Sequence, residues 1–128
     1  MQFTDHRQSN ELVVFVEELA DAARTQLVNR HNGSRFETKE DASPVTEFDC
    51  AVETLLRGMI RERYPEHGII GEEFPPESPD AEFVWVIDPI DGTKAFVSGV
   101  PVFSTLIALC RNTIPVIGVI DCGATDDR

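Results

Sequence analysis

Apolar residues recur at helical spacing over residues 9–29. Leu12, Val13, Phe15, Val16, Leu19, Ala20, Ala23 and Leu27 fall on one side, while Glu17, Glu18 and Arg24 are left for water. This pattern predicts a long amphipathic helix that ends in the Asn-rich residues 29–32 and the loop opened by Gly33 and Ser34. Residues 39–46 are charged and then turn-like, with Ser43-Pro44 favouring extended backbone. A second helical stripe follows in Phe48, Val52, Leu55, Leu56, Met59 and Ile60. Thr46 with Asp49 three residues later has the form of its N-cap, and Tyr64-Pro65 stops it near Arg63. The period then changes. Residues 68–71 read as a short strand, and the unbroken apolar run 83–87 as a strand buried on both faces that ends at Asp88. Residues 103–110 and 114–121 are β-type runs around Arg111-Asn112-Thr113, which predicts a hairpin. Residues 75–81, with three prolines, read as a surface loop without evident role. The expected class is α+β and layered: two long helices packed on a mostly antiparallel sheet.

Chemistry concentrates where the apolar run 83–87 gives way to Asp88-Pro89-Ile90-Asp91-Gly92-Thr93. Two carboxylates stand three residues apart at the end of a buried strand. Pro89 fixes φ and removes a donor, and Gly92 admits positive φ or the close approach of a ligand. A helix opening at residues 92–95 would present unpaired amides that favour an anion such as phosphate. Either Asp-Pro or Asp-Gly alone is ordinary turn punctuation. The whole string asks for more, since a turn does not need a carboxylate delivered out of an apolar interior, where it is costly unless paired. A hard divalent cation offsets that cost, and magnesium suits carboxylate and carbonyl oxygens. Glu72 and Glu73 repeat the theme after residues 68–71, with a solvated loop as the plain alternative, and Asp49 has a plain reading as a helix-capping acid.

Composition narrows the partners. The 128 residues suffice for one core. Lys+Arg 11 against Asp+Glu 23 gives a net charge of -12, which argues against nucleic acid or an anionic membrane and leaves a small phosphorylated metabolite only where a cation shields it. The two lysines, Lys39 and Lys94, both lie beside the segments singled out above. Cys50, Cys110 and Cys122 form no disulfide or zinc pattern, residues 1–10 lack an apolar run, and no stretch reaches membrane-spanning length, so a cytoplasmic location is expected. His6, His31 and His67 are scattered and are expected at the surface.

Three blocks stand in order: Lys39-Glu40-Asp41-Ala42-Ser43-Pro44-Val45-Thr46-Glu47-Phe48-Asp49, then Gly71-Glu72-Glu73, then residues 85–93. Together they resemble the inositol monophosphatase superfamily of magnesium-dependent, lithium-sensitive phosphomonoesterases, over residues 9–121. Residues 41–46, 94–99 and 104–109 are most similar to its histidinol-phosphatase branch, with the inositol-cleaving branch as the nearer alternative. The resemblance implies that Glu72, Asp88, Asp91 and the backbone carbonyl of Ile90 bind magnesium, and that the stretch Ile90, Asp91, Gly92 and Thr93 holds phosphate through the amides of its last two residues. Glu72, Asp49 and Thr93 become the catalytic residues: Asp49 orients the Thr93 hydroxyl, which with Glu72 and a bound metal positions and activates the attacking water. Lys39 offsets the negative charge nearby. The implied reaction releases inorganic phosphate from histidinol phosphate, a step of histidine biosynthesis, or alternatively from inositol-1-phosphate. Covalent catalysis of the haloacid-dehalogenase type is disfavoured, because its paired aspartates stand two apart, whereas Asp88 and Asp91 stand three apart with Pro89 between.

Members of that superfamily continue into a second half of comparable size, which supplies another metal-binding aspartate and most substrate specificity. The resemblance therefore implies that residues 1–128 are a single, incomplete amino-terminal metal-binding domain without the family's carboxy-terminal domain. It also raises a reading of another class, an inactive fragment that binds metal or serves in assembly. A homodimer is the default expectation for assembly.

Overall fold

The computed structural model describes residues 6–33, 44–92 and 103–128. Helix α1 (His6–Gly33) is longer at both ends than its apolar stripe predicts. The Asn-rich end does not stop it, because Asn costs less than about 0.7 kcal/mol in a helix. Leu12, Phe15, Val16, Leu19, Ala23 and Leu27 form its buried face, whereas Val13 lies largely in solvent. Helix α2 (Pro44–Arg63) starts two residues before Thr46, so Thr46 is not its cap. Proline suits a first helical position, where its fixed φ is already helical and its missing N–H had no partner to lose. Glu47 then lies in the first turn, favourably for the dipole. The helix ends as expected, with Tyr64 N–H donating to Ile60 O at 2.7 Å before Pro65.

Four strands form one sheet in the order β1 (Gly68–Gly71), β2 (Phe83–Asp91), β3 (Ser104–Arg111) and β4 (Ile114–Asp121). β1 pairs parallel to β2, and the other two pairings are antiparallel. The α+β layering is therefore as expected. Both helices pack on one face, where Val52, Leu56 and Ile60 join the α1 stripe over Trp85, Ile87, Ile107 and Leu109.

β2 departs from the expected strand in two ways. It is not buried on both faces, since Val86 is 39% exposed. Nor does it end at Asp88; it runs to Asp91 through a break in register. Between the pairs Asp88↔Leu106 and Asp91↔Ser104, two β2 residues, Pro89 and Ile90, face one β3 residue, Thr105. That is a β-bulge, and bulges are among the few places where a strand tolerates proline. The Thr105 hydroxyl donates to Pro89 O at 2.8 Å and ties the bulge to β3.

Two loops carry more than their sequence suggests. Residues 75–81 are anchored rather than idle: Glu77 exchanges backbone hydrogen bonds with Ile69 at 2.8 and 2.9 Å, and its carboxylate meets Arg61 at 2.6 Å. His67 is not a surface residue. Its ring stacks on Tyr64 at 4.5 Å, and its Nδ1 accepts the indole N–H of the fully buried Trp85 at 3.0 Å. At the far end of the sheet, Asp121 accepts from Arg24 Nη2 at 2.7 Å and from Arg128 Nε at 2.8 Å, which ties α1 to the end of β4. Burial pushes the Asp121 carboxyl up, but the two guanidinium groups outweigh it and hold it below the usual carboxylate range.

Candidate active site

The site is assembled at the carboxyl ends of β1 and β2 and along one line of α2. β1 and β2 run parallel with Gly71 beside Ile87, so the residues that follow Gly71 and Ile87 emerge at the same end. These are Glu72 and Asp88, and Glu72 comes within side-chain hydrogen-bond reach of Asp88. Asp88 Oδ1 is buried and has no hydrogen-bond partner among the described residues.

The bulge explains how Asp91 joins them. Residues three apart in an unbroken strand point to opposite faces. One extra residue in β2 reduces the separation on the ladder to two, which returns Asp88 and Asp91 to the same side. Their fields overlap accordingly. Burial pushes the Asp88 carboxyl above its usual range, Glu72 and Asp91 add to this, and the Ile90 amide opposes it by donating to Asp88. Gly92 follows with φ 87°, a left-handed conformation that glycine adopts without strain.

Asp49 reaches the same region from α2. Burial pushes its carboxyl up to about 7, and the negative fields of Glu73, Asp88, Glu72 and Glu53 add to the shift. Since α2 starts at Pro44, Asp49 stands beyond the first helical turn, where the dipole gives an acid little help. Its cost without a cation is accordingly not offset by capping.

The structure thus gathers Asp49, Glu72, Asp88 and Asp91 in one negative field, with the Ile90 amide directed at Asp88. Among the described residues, no three His, Cys, Asp or Glu side chains form a ready-made cation cage. The donor set nevertheless fits a hard divalent cation. Its carboxylate oxygens are the right class, and the orphaned Asp88 Oδ1 beside Glu72 is a polar atom that a cation would satisfy. Lys39 and Thr93 lie outside the described residues.

Sequence reasoning missed two residues, Glu53 and Arg57. Glu53 is 0% exposed and Arg57 2%. Glu53 Oε1 accepts the Glu73 N–H at 3.0 Å, and Oε2 accepts the Phe74 N–H at 3.1 Å and Arg57 Nε at 3.0 Å. Arg57 also donates to Phe74 O and Pro75 O, both at 3.0 Å. The signal was the spacing of Asp49, Glu53 and Arg57, four apart each time, which puts three charged groups on one line of an otherwise apolar helix face.

Comparison with known proteins follows the same geometry. The model of the inositol monophosphatase family matches residues 4–128. The histidinol-phosphatase of Mycobacterium tuberculosis is 44% identical over 94 residues, which cover 73% of this chain and 36% of that protein. The histidinol-phosphatase of Streptomyces coelicolor is 42% identical over 116 residues, 86% of this chain and 43% of that protein. A solved inositol monophosphatase from Zymomonas mobilis superposes with a TM-score of 0.78 at 35% identity, covering 91% of this chain and 45% of the other. The chain therefore spans less than half the length of each of these relatives.

Proposed function

Because the chain belongs to the inositol monophosphatase family, we propose that its acidic cluster is the cation- and phosphate-binding part of a magnesium-dependent phosphomonoesterase, with histidinol phosphate as substrate. The observation that carries this reading is the convergence of Glu72 on Asp88, whose Oδ1 is buried without a partner. Identities of 44% and 42% to two histidinol-phosphatases support that substrate ahead of others.

Glu72, Asp88, Asp91 and the Ile90 carbonyl would hold magnesium. Magnesium supplies charge neutralisation at the phosphate oxygens and a lowered pKa for water. The residues themselves do the rest. Phosphate would rest against Asp91 and Gly92, with the amides of Gly92 and Thr93 as donors. Asp49 would orient the Thr93 hydroxyl, and Glu72 would take the proton of the attacking water as the bond from phosphorus to the ester oxygen breaks. The water oxygen would bond phosphorus as the ester bond breaks, and the leaving alkoxide would take a proton from solvent water, giving an alcohol and inorganic phosphate. Lys39 would offset negative charge, lithium would inhibit, and the setting would be cytoplasmic.

Phosphate release from histidinol phosphate, with and without magnesium, tests the reading on wild type and Asp88→Asn. Magnesium-dependent release that falls by about a hundredfold or more in Asp88→Asn is expected, as for loss of a charged group that acts in the transition state. Release unaffected by Asp88→Asn would overturn the cation assignment. Inositol-1-phosphate belongs in the same assay, because the structural match to the Zymomonas mobilis enzyme favours it as the second substrate. A reading of another class is cation binding without turnover. Cation binding with no release from either ester would select it.

A further inference from the structure

Glu72 is bracketed on both sides by one buried side chain. Ahead of it, a Cβ on Gly71 would lie 2.4 Å from Glu53 Oε1, so the backbone of β1 passes so close to the Glu53 carboxylate that any larger residue would have to displace it. Behind it, the Glu73 amide donates to that same oxygen. The next residues are held as firmly: the Phe74 amide bonds Glu53 Oε2, and the Phe74 and Pro75 carbonyls accept from Arg57. One ion pair on α2 thus satisfies two amides and two carbonyls of the turn that carries Glu72.

We propose that the buried Glu53–Arg57 pair is the positioning element that sets Glu72 opposite Asp88, and so tunes cation affinity without touching the cation. This rests on the reading of Glu72 and Asp88 as its ligands. Stability alone does not explain the pair, since buried ion pairs are often replaceable by apolar residues without loss. Its geometry does, because every hydrogen bond of the pair runs to the turn or between its two members, with the Glu77 carboxylate as a longer ion-pair partner of Arg57 at 3.7 Å. Asp49 stands one helical turn before Glu53, so the same line of α2 positions two site residues from one rigid body.

The experiment measures Mn2+ affinity of the 128-residue chain by electron paramagnetic resonance, alongside amide exchange at Glu73 and Phe74. Glu53→Gln puts a donor against donors, and Arg57→Lys keeps the charge but loses the guanidinium fork. Arg57→Lys is the milder of the two and serves where Glu53→Gln does not fold. Either is expected to weaken Mn2+ binding by about 10- to 100-fold, the range for residues that orient a ligand rather than bind the metal, and to speed exchange at both amides. Leu56→Ala, a core change on the same helix, is expected to keep wild-type affinity while folded. Unchanged Mn2+ affinity in a folded clamp variant, or an equal loss in Leu56→Ala, overturns the proposal. Asp88→Asn leaves the clamp intact and isolates the underlying reading. If the wild-type chain binds no Mn2+, or Asp88→Asn binds as tightly, the cation site itself fails and the positioning role falls with it.

Discussion

At the scale of single residues, the β3–β4 turn shows how far local chemistry can be read and where it misleads. The hairpin was legible because two β-type runs flank a short polar break, but its turn geometry was not. Asn112 and Thr113 have φ of 50° and 69°, the two left-handed positions of a type I′ turn. Asparagine tolerates that conformation; a β-branched threonine does not. Thr113→Gly is therefore expected to stabilise the chain by about 1 kcal/mol, the cost of one residue held left-handed, with the lost Thr113 hydroxyl bond to the Asn112 carbonyl reducing the gain. Urea unfolding gives the answer, and a lower midpoint for the glycine variant would contradict it. His67 teaches a complementary lesson: nothing in its sequence neighbourhood announced that a tertiary partner, Trp85, would draw it inside.

Elements were legible in kind and order, and less so at their limits. Helical periodicity located both helices, because burial on one side imposes it directly, and short apolar or β-type runs located the four strands. It could not reveal the β2 bulge, since the extra residue shows only in the pairing with β3. Nor could it show that α2's charged line would hold the turn after β1, because the partners are backbone groups. The exit of α2 and strand β2 are joined by His67, and this junction carries a pH dependence. Burial lowers the His67 pKa below its usual value of 6.5, with Glu66 and Glu82 opposing. The folded state therefore binds fewer protons than the unfolded chain. The His67 contribution is fully present above about pH 6.5 and is lost as pH falls towards the folded-state value. Urea midpoints followed by the fluorescence of Trp85, the sole tryptophan, should fall between pH 7 and pH 5 more steeply for wild type than for His67→Gln. Parallel slopes for the two would remove His67 as the source.

On the scale of the whole molecule, the helices cover one face of the sheet, and on the other, among the described residues, apolar side chains stand exposed. Val86, Leu106, Ala108 and Ile120 line that second face beside Asp88, and Ile120 is 60% exposed. A sequence that alternates cleanly reports which residues share a face, but not whether the face is covered. Much of the candidate site was legible for a related reason: carboxylates that follow apolar strands are conspicuous against their surroundings. Glu53 and Arg57 stand on the apolar side of α2, but their spacing alone does not name the backbone groups that satisfy them.

The orphaned oxygen of Asp88 sets heat resistance against usefulness. A buried acceptor left without a partner costs about 1–3 kcal/mol, and Asp88→Asn gives Glu72 a donor in place of a competing charge. In a buffer free of divalent ions, that variant is expected to melt about 4 °C higher than wild type for each kcal/mol recovered, as scanning calorimetry can show. A lower Tm would mean that Asp88 earns its place by holding the fold together. A higher one would mean that selection for folding alone would have discarded this aspartate, and that the chain keeps a weak point in its sheet for the sake of what binds there.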